Sequence, residues 1–142
     1  FTTAQSLRIL ETAKQHGLIP RLHADEFEDS GAASLAAKVG AVSADHLMAV
    51  SDSGINDLAK RGVIATLLPG TTFFLGKNTY ANGRKMIDAG CQVAVATDFN
   101  PGSCTLQSMP LVISLSTLLT IPILLELVSP VTGGAPKSFA FQ

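Results

Sequence analysis

Charge and cysteine are both scarce in this sequence, and each shortage argues against a class of protein. Charged residues make up 15% of the 142 positions, with a net charge of −1. Without a basic patch, a lysine or arginine run or a series of stacking aromatics, nucleic-acid binding is disfavoured. Cys91 and Cys104 provide neither a disulfide framework nor a CxxC zinc motif. Reduced thiols in a cytoplasmic protein are therefore expected.

The sequence favours neither a signal peptide nor a membrane anchor. Residues 1–10 lack a basic region leading into an apolar run, so no signal peptide is expected. The absence of an initiator Met suggests a chain cut from something longer. Residues 106–125 are uncharged and nearly long enough to span a bilayer, but Pro110 and Pro122 interrupt them and no basic flank follows. A buried helix or helix pair is the favoured interpretation, and a membrane-attached fragment is the alternative.

The sequence does contain a regular alternation of helical and apolar extended segments. Apolar residues make up 46% of the chain, enough for a folded core. Helices are predicted over residues 2–16, 31–39, 52–61, 78–89 and from 107 onward. Strands are predicted over residues 18–24, 41–46, 63–68 and 92–97. Ser30 and Ser51 are predicted to cap the second and third helices. This alternation predicts an α/β fold of βα units with a parallel sheet.

Residues capable of chemistry stand where three of the predicted strands end. His23, His46 and Asp98 close the first, second and fourth strands, whereas the third closes in Leu-Pro-Gly. Functional groups collect at the carboxyl ends of parallel strands. Because imidazole and carboxylate are metal ligands, His23 and Asp98 form a candidate metal pair. The alternative is that His23 is a hydrogen-bonded core histidine and that Asp98 caps a helix or a turn.

Residues near these positions are further candidates. Glu26 lies three residues after His23 and is a candidate to bind a substrate N–H, with a solvated surface acid as the alternative. Asp25 and the other nearby acids are interpreted as solvated loop. His16 falls in the last turn of a helix, where a cation suits the helix dipole, and is interpreted as structural.

The segment Asn-Pro-Gly-Ser at residues 100–103 has two interpretations. All four residue types are common turn formers, so one interpretation is a turn with no functional role. Alternatively, its backbone N–H groups and the Asn100 amide hold a substrate carboxylate. Cys104 follows closely, but no histidine stands beside it as a base, so it is not interpreted as a nucleophile.

Four short runs are specific when taken together. They are Leu-His-Ala-Asp-Glu-Phe at 22–27, Ser-Ala-Asp-His-Leu at 43–47, Leu-Leu-Pro-Gly-Thr at 67–71 and Ala-Thr-Asp-Phe-Asn-Pro-Gly-Ser at 96–103. In this order and spacing they resemble the imidazolonepropionase family of the amidohydrolase superfamily, over residues 1–120. The resemblance implies strands five to eight of a TIM-type (β/α)8 barrel. It implies that residues 1–128 form a partial barrel domain and that residues 129–142 are a diverged or irregular tail.

The resemblance also implies a reaction and a set of site residues. The reaction is hydrolysis of 4-imidazolone-5-propanoate, a small-molecule substrate, to N-formimidoyl-L-glutamate in histidine breakdown, with one zinc or iron ion. His23 and Asp98 would be the metal ligands. The implied catalytic residues are His46, Glu26 and Asp98. The implied substrate-binding residues are Glu26, Asn100, Gly102 and Ser103.

The chain departs from the family in what it lacks. The family's His-x-His metal pair on strand one is absent, since the only histidines are His16, His23 and His46. The chain alone is therefore expected to be inactive. Because a half-barrel exposes two sheet edges and apolar surface, it is also expected to associate or aggregate. A longer parent is expected to be a cytoplasmic homodimer. The alternatives are another cyclic amidohydrolase and a non-catalytic α/β binding module.

Overall fold

The computed structural model describes residues 1–119 as helices alternating with short parallel strands. The elements in chain order are α1 (Thr3–Gln15), β1 (Arg21–Ala24), α2 (Ala32–Val39), β2 (Ser43–His46), α3 (Asp52–Arg61), β3 (Ile64–Leu67), α4 (Pro69–Phe74), α5 (Gly83–Asp88), β4 (Val93–Val95) and α6 (Met109–Leu119). The predicted tail at 129–142, the end of the domain predicted over 1–128 and the end of the apolar run at 106–125 lie outside the described residues. Within residues 1–119, no helix is long and apolar enough to cross a membrane.

The four strands form one parallel sheet in the order β1-β2-β3-β4. Each strand therefore pairs with the strand that follows it along the chain, and every crossover moves one step in the same direction. Consecutive strands follow one another in this way around a (β/α)8 barrel. The predicted α/β class and parallel sheet are confirmed, and the assignment to barrel strands five to eight stays a prediction.

The two faces of the sheet differ in character because successive side chains on a strand point to opposite sides. One register row lies in or against the hydrophobic core, together with the buried residues of α2 and α3. This row consists of Leu22, Ala44, Ala65 and Val93. The next row points to the other face and is more polar: His23, Asp45, Thr66 and Ala94. Helices α1, α2 and α3 pack in sequence, and α2 packs on β1 and β2. The polar row is thus on the face away from this helical layer.

The start of α2 differs from the prediction. Gly31, in a left-handed conformation at φ 72°, is the N-cap and makes no side-chain capping bond, so the predicted cap at Ser30 is wrong. The Asp25 carboxylate instead accepts hydrogen bonds from Ala32 N at 3.0 Å and Ala33 N at 2.9 Å, and from the backbone N and Oγ of Ser30 at 3.0 Å each. Asp25 is only 4% exposed, so its interpretation as a solvated loop acid was also wrong. A buried carboxylate from the preceding loop satisfies the free N–H groups of the first turn.

Two other helices differ in extent from the prediction. Pro69–Phe74 is helical, where the sequence indicated only the closing turn of the third strand, and Pro69 suits the first helical turn because it has no N–H to leave unpaired. The helix predicted over 78–89 is shortened to Gly83–Asp88, because Asn82 caps it by accepting a hydrogen bond from Lys85 N at 3.0 Å. The predicted cap of α3 is confirmed, with Ser51 Oγ accepting from Gly54 N.

Candidate metal centre

The carboxyl ends of β1 and β2 bring two histidine rings into contact. His23 Nδ1 lies 2.7 Å from His46 Nε2, and the ring centroids are 4.8 Å apart. At this distance one ring nitrogen donates and the other accepts, so the two histidines hold each other's orientation. Two of the three residues predicted at strand ends are therefore neighbours.

An unusual backbone at the end of β2 makes this contact possible. His23 and His46 belong to adjacent register rows, so regular strand geometry would point their side chains to opposite faces. His46 has φ 79° and Leu47 has φ 62°, which turns the chain out of the extended conformation. The only other described non-glycine residues with positive φ are Asp25, directly after β1, and Asp98, three residues after β4. Such strain costs on the order of 1–3 kcal/mol per residue and concentrates at functional sites.

Glu26 completes a three-residue group. Its Oε1 lies 3.8 Å from His46 Nδ1, and its side chain is 21% exposed. One ligand atom from each of His23, Glu26 and His46 lies within 4.8 Å of the others, and no comparable cluster of three His, Cys, Asp or Glu occurs elsewhere in residues 1–119. Two imidazoles and a carboxylate are the ligand types that zinc and non-haem iron accept.

The environment of His46 favours a neutral ring. Burial lowers the pKa of His46, and the nearby His23 lowers it further, whereas Glu26, Asp98 and Asp45 oppose the shift. Its side chain is 2% exposed, and Nδ1 is buried with no hydrogen-bond partner among residues 1–119. An unpaired buried nitrogen costs about 1–3 kcal/mol. A neutral ring with a free nitrogen can take a proton or a cation, so these residues fit a metal-dependent site.

Asp98 stands beside this group rather than within it. Its charge raises the pKa of His46. The three-residue cluster within 4.8 Å does not include Asp98. Thr71 Oγ1 donates to Asp98 Oδ2 at 2.5 Å. The structure therefore joins His23 to Glu26 and His46, and the pairing of His23 with Asp98 as ligands stays a prediction.

Asn100 organises the turn that follows Asp98. Its Oδ1 accepts from Gly102 N at 2.9 Å and Ser103 N at 2.8 Å, and its Nδ2 donates to the Asp98 carbonyl at 2.8 Å. The two backbone N–H groups predicted to hold a substrate carboxylate are thus bonded to Asn100. Substrate binding through Asn100, Gly102 and Ser103 stays a prediction, and it requires these bonds to be exchanged.

Sequence reasoning missed a polar network on the same face of the sheet as His23. Arg21 Nε donates to Ser43 Oγ at 2.9 Å, and Ser43 Oγ donates to Asp45 Oδ1 at 2.9 Å. Arg21 also lies 3.8 Å from the Asp45 carboxylate. The alternation of Ser and Asp with Ala in β2 was the available signal, because a strand buried on both faces is normally apolar throughout.

Comparison with known proteins identifies relatives over most of the chain. The chain is 58% identical over 118 residues to the imidazolonepropionase of Brevibacillus brevis. This chain is a homologue of part of imidazolonepropionase. The imidazolonepropionases of Bacteroides fragilis and of a Geobacillus species are each 57% identical over the same length. These alignments cover 83% of this chain but 28% of each imidazolonepropionase, so the chain spans less than a third of its relatives. The resemblance seen in the four motifs is confirmed, and no protein-family model matches.

A solved structure supports the fold independently. The adenosine deaminase from Xanthomonas campestris, crystallised with bound zinc, matches 82% of this chain and 29% of its own with a TM-score of 0.65. The sequences are 20% identical, so the likeness concerns the fold alone.

Proposed function

We propose that this chain supplies half of the active site of a metal-dependent hydrolase of the imidazolonepropionase type. The proposed reaction opens 4-imidazolone-5-propanoate with water to give N-formimidoyl-L-glutamate. The observation that carries the proposal is the His23, Glu26 and His46 group at the carboxyl edge of a parallel sheet. Its occurrence in a chain 58% identical to an imidazolonepropionase supports this chemistry over a non-catalytic binding module.

The residues present fit one zinc or iron ion. His23 would be a ligand, with the Glu26 carboxylate and the free nitrogen of His46 beside it. Asp98 would be a second ligand, as the resemblance implies. When bound, such an ion polarises a carbonyl and lowers the pKa of water toward neutrality.

The chain's own residues would manage the protons of the reaction. Hydrolysis joins the water oxygen to the ring carbonyl carbon and breaks the C–N bond, and the leaving nitrogen needs a proton. His46 has a lowered pKa, so it is neutral and can accept a proton from water. Glu26, 3.8 Å from Nδ1, would stabilise the imidazolium that forms. Asp98, whose charge raises the pKa of the same ring, would share the transfer to the leaving nitrogen.

The substrate would lie against Glu26 and the turn after Asp98. The partly exposed Glu26 carboxylate can accept a hydrogen bond from a ring N–H. Asn100, Gly102 and Ser103 would hold the propanoate end. In the whole enzyme these strands would be barrel strands five to eight, within a domain that includes residues 1–128, and the enzyme would be a cytoplasmic homodimer.

Metal content tests the proposal. The purified chain should contain about one zinc or iron ion by elemental analysis, since His23, Glu26 and His46 already place their ligand atoms within 4.8 Å of one another. His23→Ala should lose this metal. The matched control is His16→Ala, which removes an exposed histidine that caps α1.

The outcomes separate the alternatives. Metal lost in His23→Ala and kept in His16→Ala supports the half-site. Metal absent from the wild-type chain, and still absent after the remaining segments of a relative are added in trans, would contradict the proposal and favour a non-catalytic module.

A further inference from the structure

We propose that Thr71 is a positioning residue that fixes the Asp98 carboxylate for metal binding. The inference rests on the proposed function, because it takes Asp98 as a ligand. Thr71 lies in α4, a helix that the sequence did not indicate. Neither the fold prediction nor the motif comparison gave this residue a role beyond the Leu-Leu-Pro-Gly-Thr run.

The geometry of the contact is that of a strong hydrogen bond. Thr71 is fully buried, and its Oγ1 lies 2.5 Å from Asp98 Oδ2. A hydroxyl donating to a carboxylate gives bonds of 2.5–2.7 Å, about twice as strong as neutral ones. The bond joins residues 27 positions apart, one in α4 and the other in the segment after β4. It engages Oδ2, which leaves a ligand bond through Oδ1 compatible with it.

Close packing fixes α4 against the segment that carries Asp98. A Cβ at Gly70 would lie 3.0 Å from Leu106 Cδ2, 3.3 Å from Cys104 Sγ and 3.4 Å from the Thr97 carbonyl oxygen. The helix therefore packs closely on the backbone immediately before Asp98, and a side chain at position 70 would require its neighbours to shift. The Cys104 thiol also donates to the Thr97 carbonyl at 3.3 Å. The Thr71 hydroxyl thus has a fixed position relative to the Asp98 backbone.

Asp98 needs such support because strand pairing does not provide it. Asp98 lies beyond the end of β4 and has φ 52°. Asn100 Nδ2 holds its carbonyl at 2.8 Å, and the Thr71 hydroxyl holds its side chain. Partners of this kind orient metal-binding carboxylates, and their loss typically weakens metal affinity about 10- to 100-fold.

Thr72 provides a matched control in the same helix. It is 1% exposed, so it is as buried as Thr71, and its hydroxyl donates to Met48 Sδ at 2.8 Å instead of to a carboxylate. Thr72→Val removes a buried hydroxyl from the same turn without touching Asp98. Any general effect of replacing a buried threonine in α4 will appear in both variants.

The experiment is a zinc titration of the whole chain, by competition with a chromophoric chelator. Thr71→Val should weaken zinc binding about 10- to 100-fold, whereas Thr71→Ser and Thr72→Val should stay within about threefold of wild type. Asp98→Ala should weaken binding at least as much as Thr71→Val. In the Asp98→Ala background, Thr71→Val should have no further effect, because it acts only through that carboxylate. Circular dichroism checks folding, and Thr71→Ala replaces any Thr71→Val chain that fails to fold.

Each outcome supports or overturns a defined statement. Weaker binding in Thr71→Val, rescued by serine and absent from the Asp98→Ala background, supports the inference. Two results would overturn the inference and leave the proposed function standing. One is weaker zinc binding in Asp98→Ala but not in Thr71→Val. The other is an equal loss of zinc affinity in Thr71→Val and Thr72→Val. No zinc binding by the wild-type chain, either alone or with the remaining segments of a relative added in trans, would overturn the function assigned to the site and the inference with it, as would full affinity in Asp98→Ala.

Discussion

Replacing Asp25 tests the most unexpected structural feature of the chain. This carboxylate is 4% exposed and accepts four hydrogen bonds at the start of α2. Asp25→Ala leaves the donors of Ala32 and Ala33 without their partner at a helix N-terminus. Loss of a capping residue costs about 0.5–2 kcal/mol, and leaving a buried donor unsatisfied costs a further 1–3 kcal/mol or so. The expected loss in the free energy of unfolding is therefore about 1.5–5 kcal/mol.

Two further variants make this prediction specific. Asp25→Asn keeps an acceptor oxygen but loses the charge, so we expect roughly half the loss. Asp29→Ala is the control, because Asp29 is exposed and, within the described residues, its carboxylate accepts one hydrogen bond, from Gly31 N at 3.2 Å. We expect it to cost below about 1 kcal/mol.

Urea denaturation followed by far-ultraviolet circular dichroism measures these differences from the shift in midpoint at constant slope. If Asp25→Ala and Asp29→Ala unfold at the same urea concentration, the capping role of Asp25 is refuted.

Three other predictions follow from the structure. Burial raises the pKa of the Cys91 thiol. In a Cys104→Ser chain, iodoacetamide should therefore label Cys91 at least about 10-fold more slowly in the folded state than in the urea-unfolded state. Equal labelling rates would contradict the buried placement of Cys91. Gly70→Ala should destabilise the chain by about 1–3 kcal/mol because its Cβ would meet Leu106 at 3.0 Å, and an unchanged urea midpoint would show that α4 is not closely packed there. The chain alone should not turn over 4-imidazolone-5-propanoate, because its three histidines include no His-x-His pair; N-formimidoyl-L-glutamate above the uncatalysed background would disprove this.

The strands were predictable because their signals are local. Apolar runs between helical segments identified all four strands, and the strand-end rule pointed to His23 and His46, which the structure places in contact. The predicted strand ends differ from the observed bounds by up to three residues. Such boundaries depend on the pairing partner, which a single strand does not encode.

The remaining features depend on contacts between distant segments, which composition and periodicity do not report. Asp25 was placed in solvent because an acid in a loop is usually exposed, and only the docking of α2 brings the helix N–H groups onto it. The Thr71 hydroxyl reaches Asp98 across 27 residues, and the contact required a helix that the Leu-Pro-Gly run did not indicate. The contact of His23 with His46 likewise depends on the positive φ of His46.

The most direct test of the central claim is a chimaera with a full-length relative. The 118 aligned residues of this chain replace their counterparts in the imidazolonepropionase of Brevibacillus brevis, which is 58% identical over that segment. Turnover of 4-imidazolone-5-propanoate is then measured with and without His23→Ala, with His16→Ala as the control. Our account predicts a metal-containing chimaera that produces N-formimidoyl-L-glutamate, with activity lost in His23→Ala and kept in His16→Ala. A folded chimaera that is inactive, or one whose activity survives His23→Ala, would contradict it.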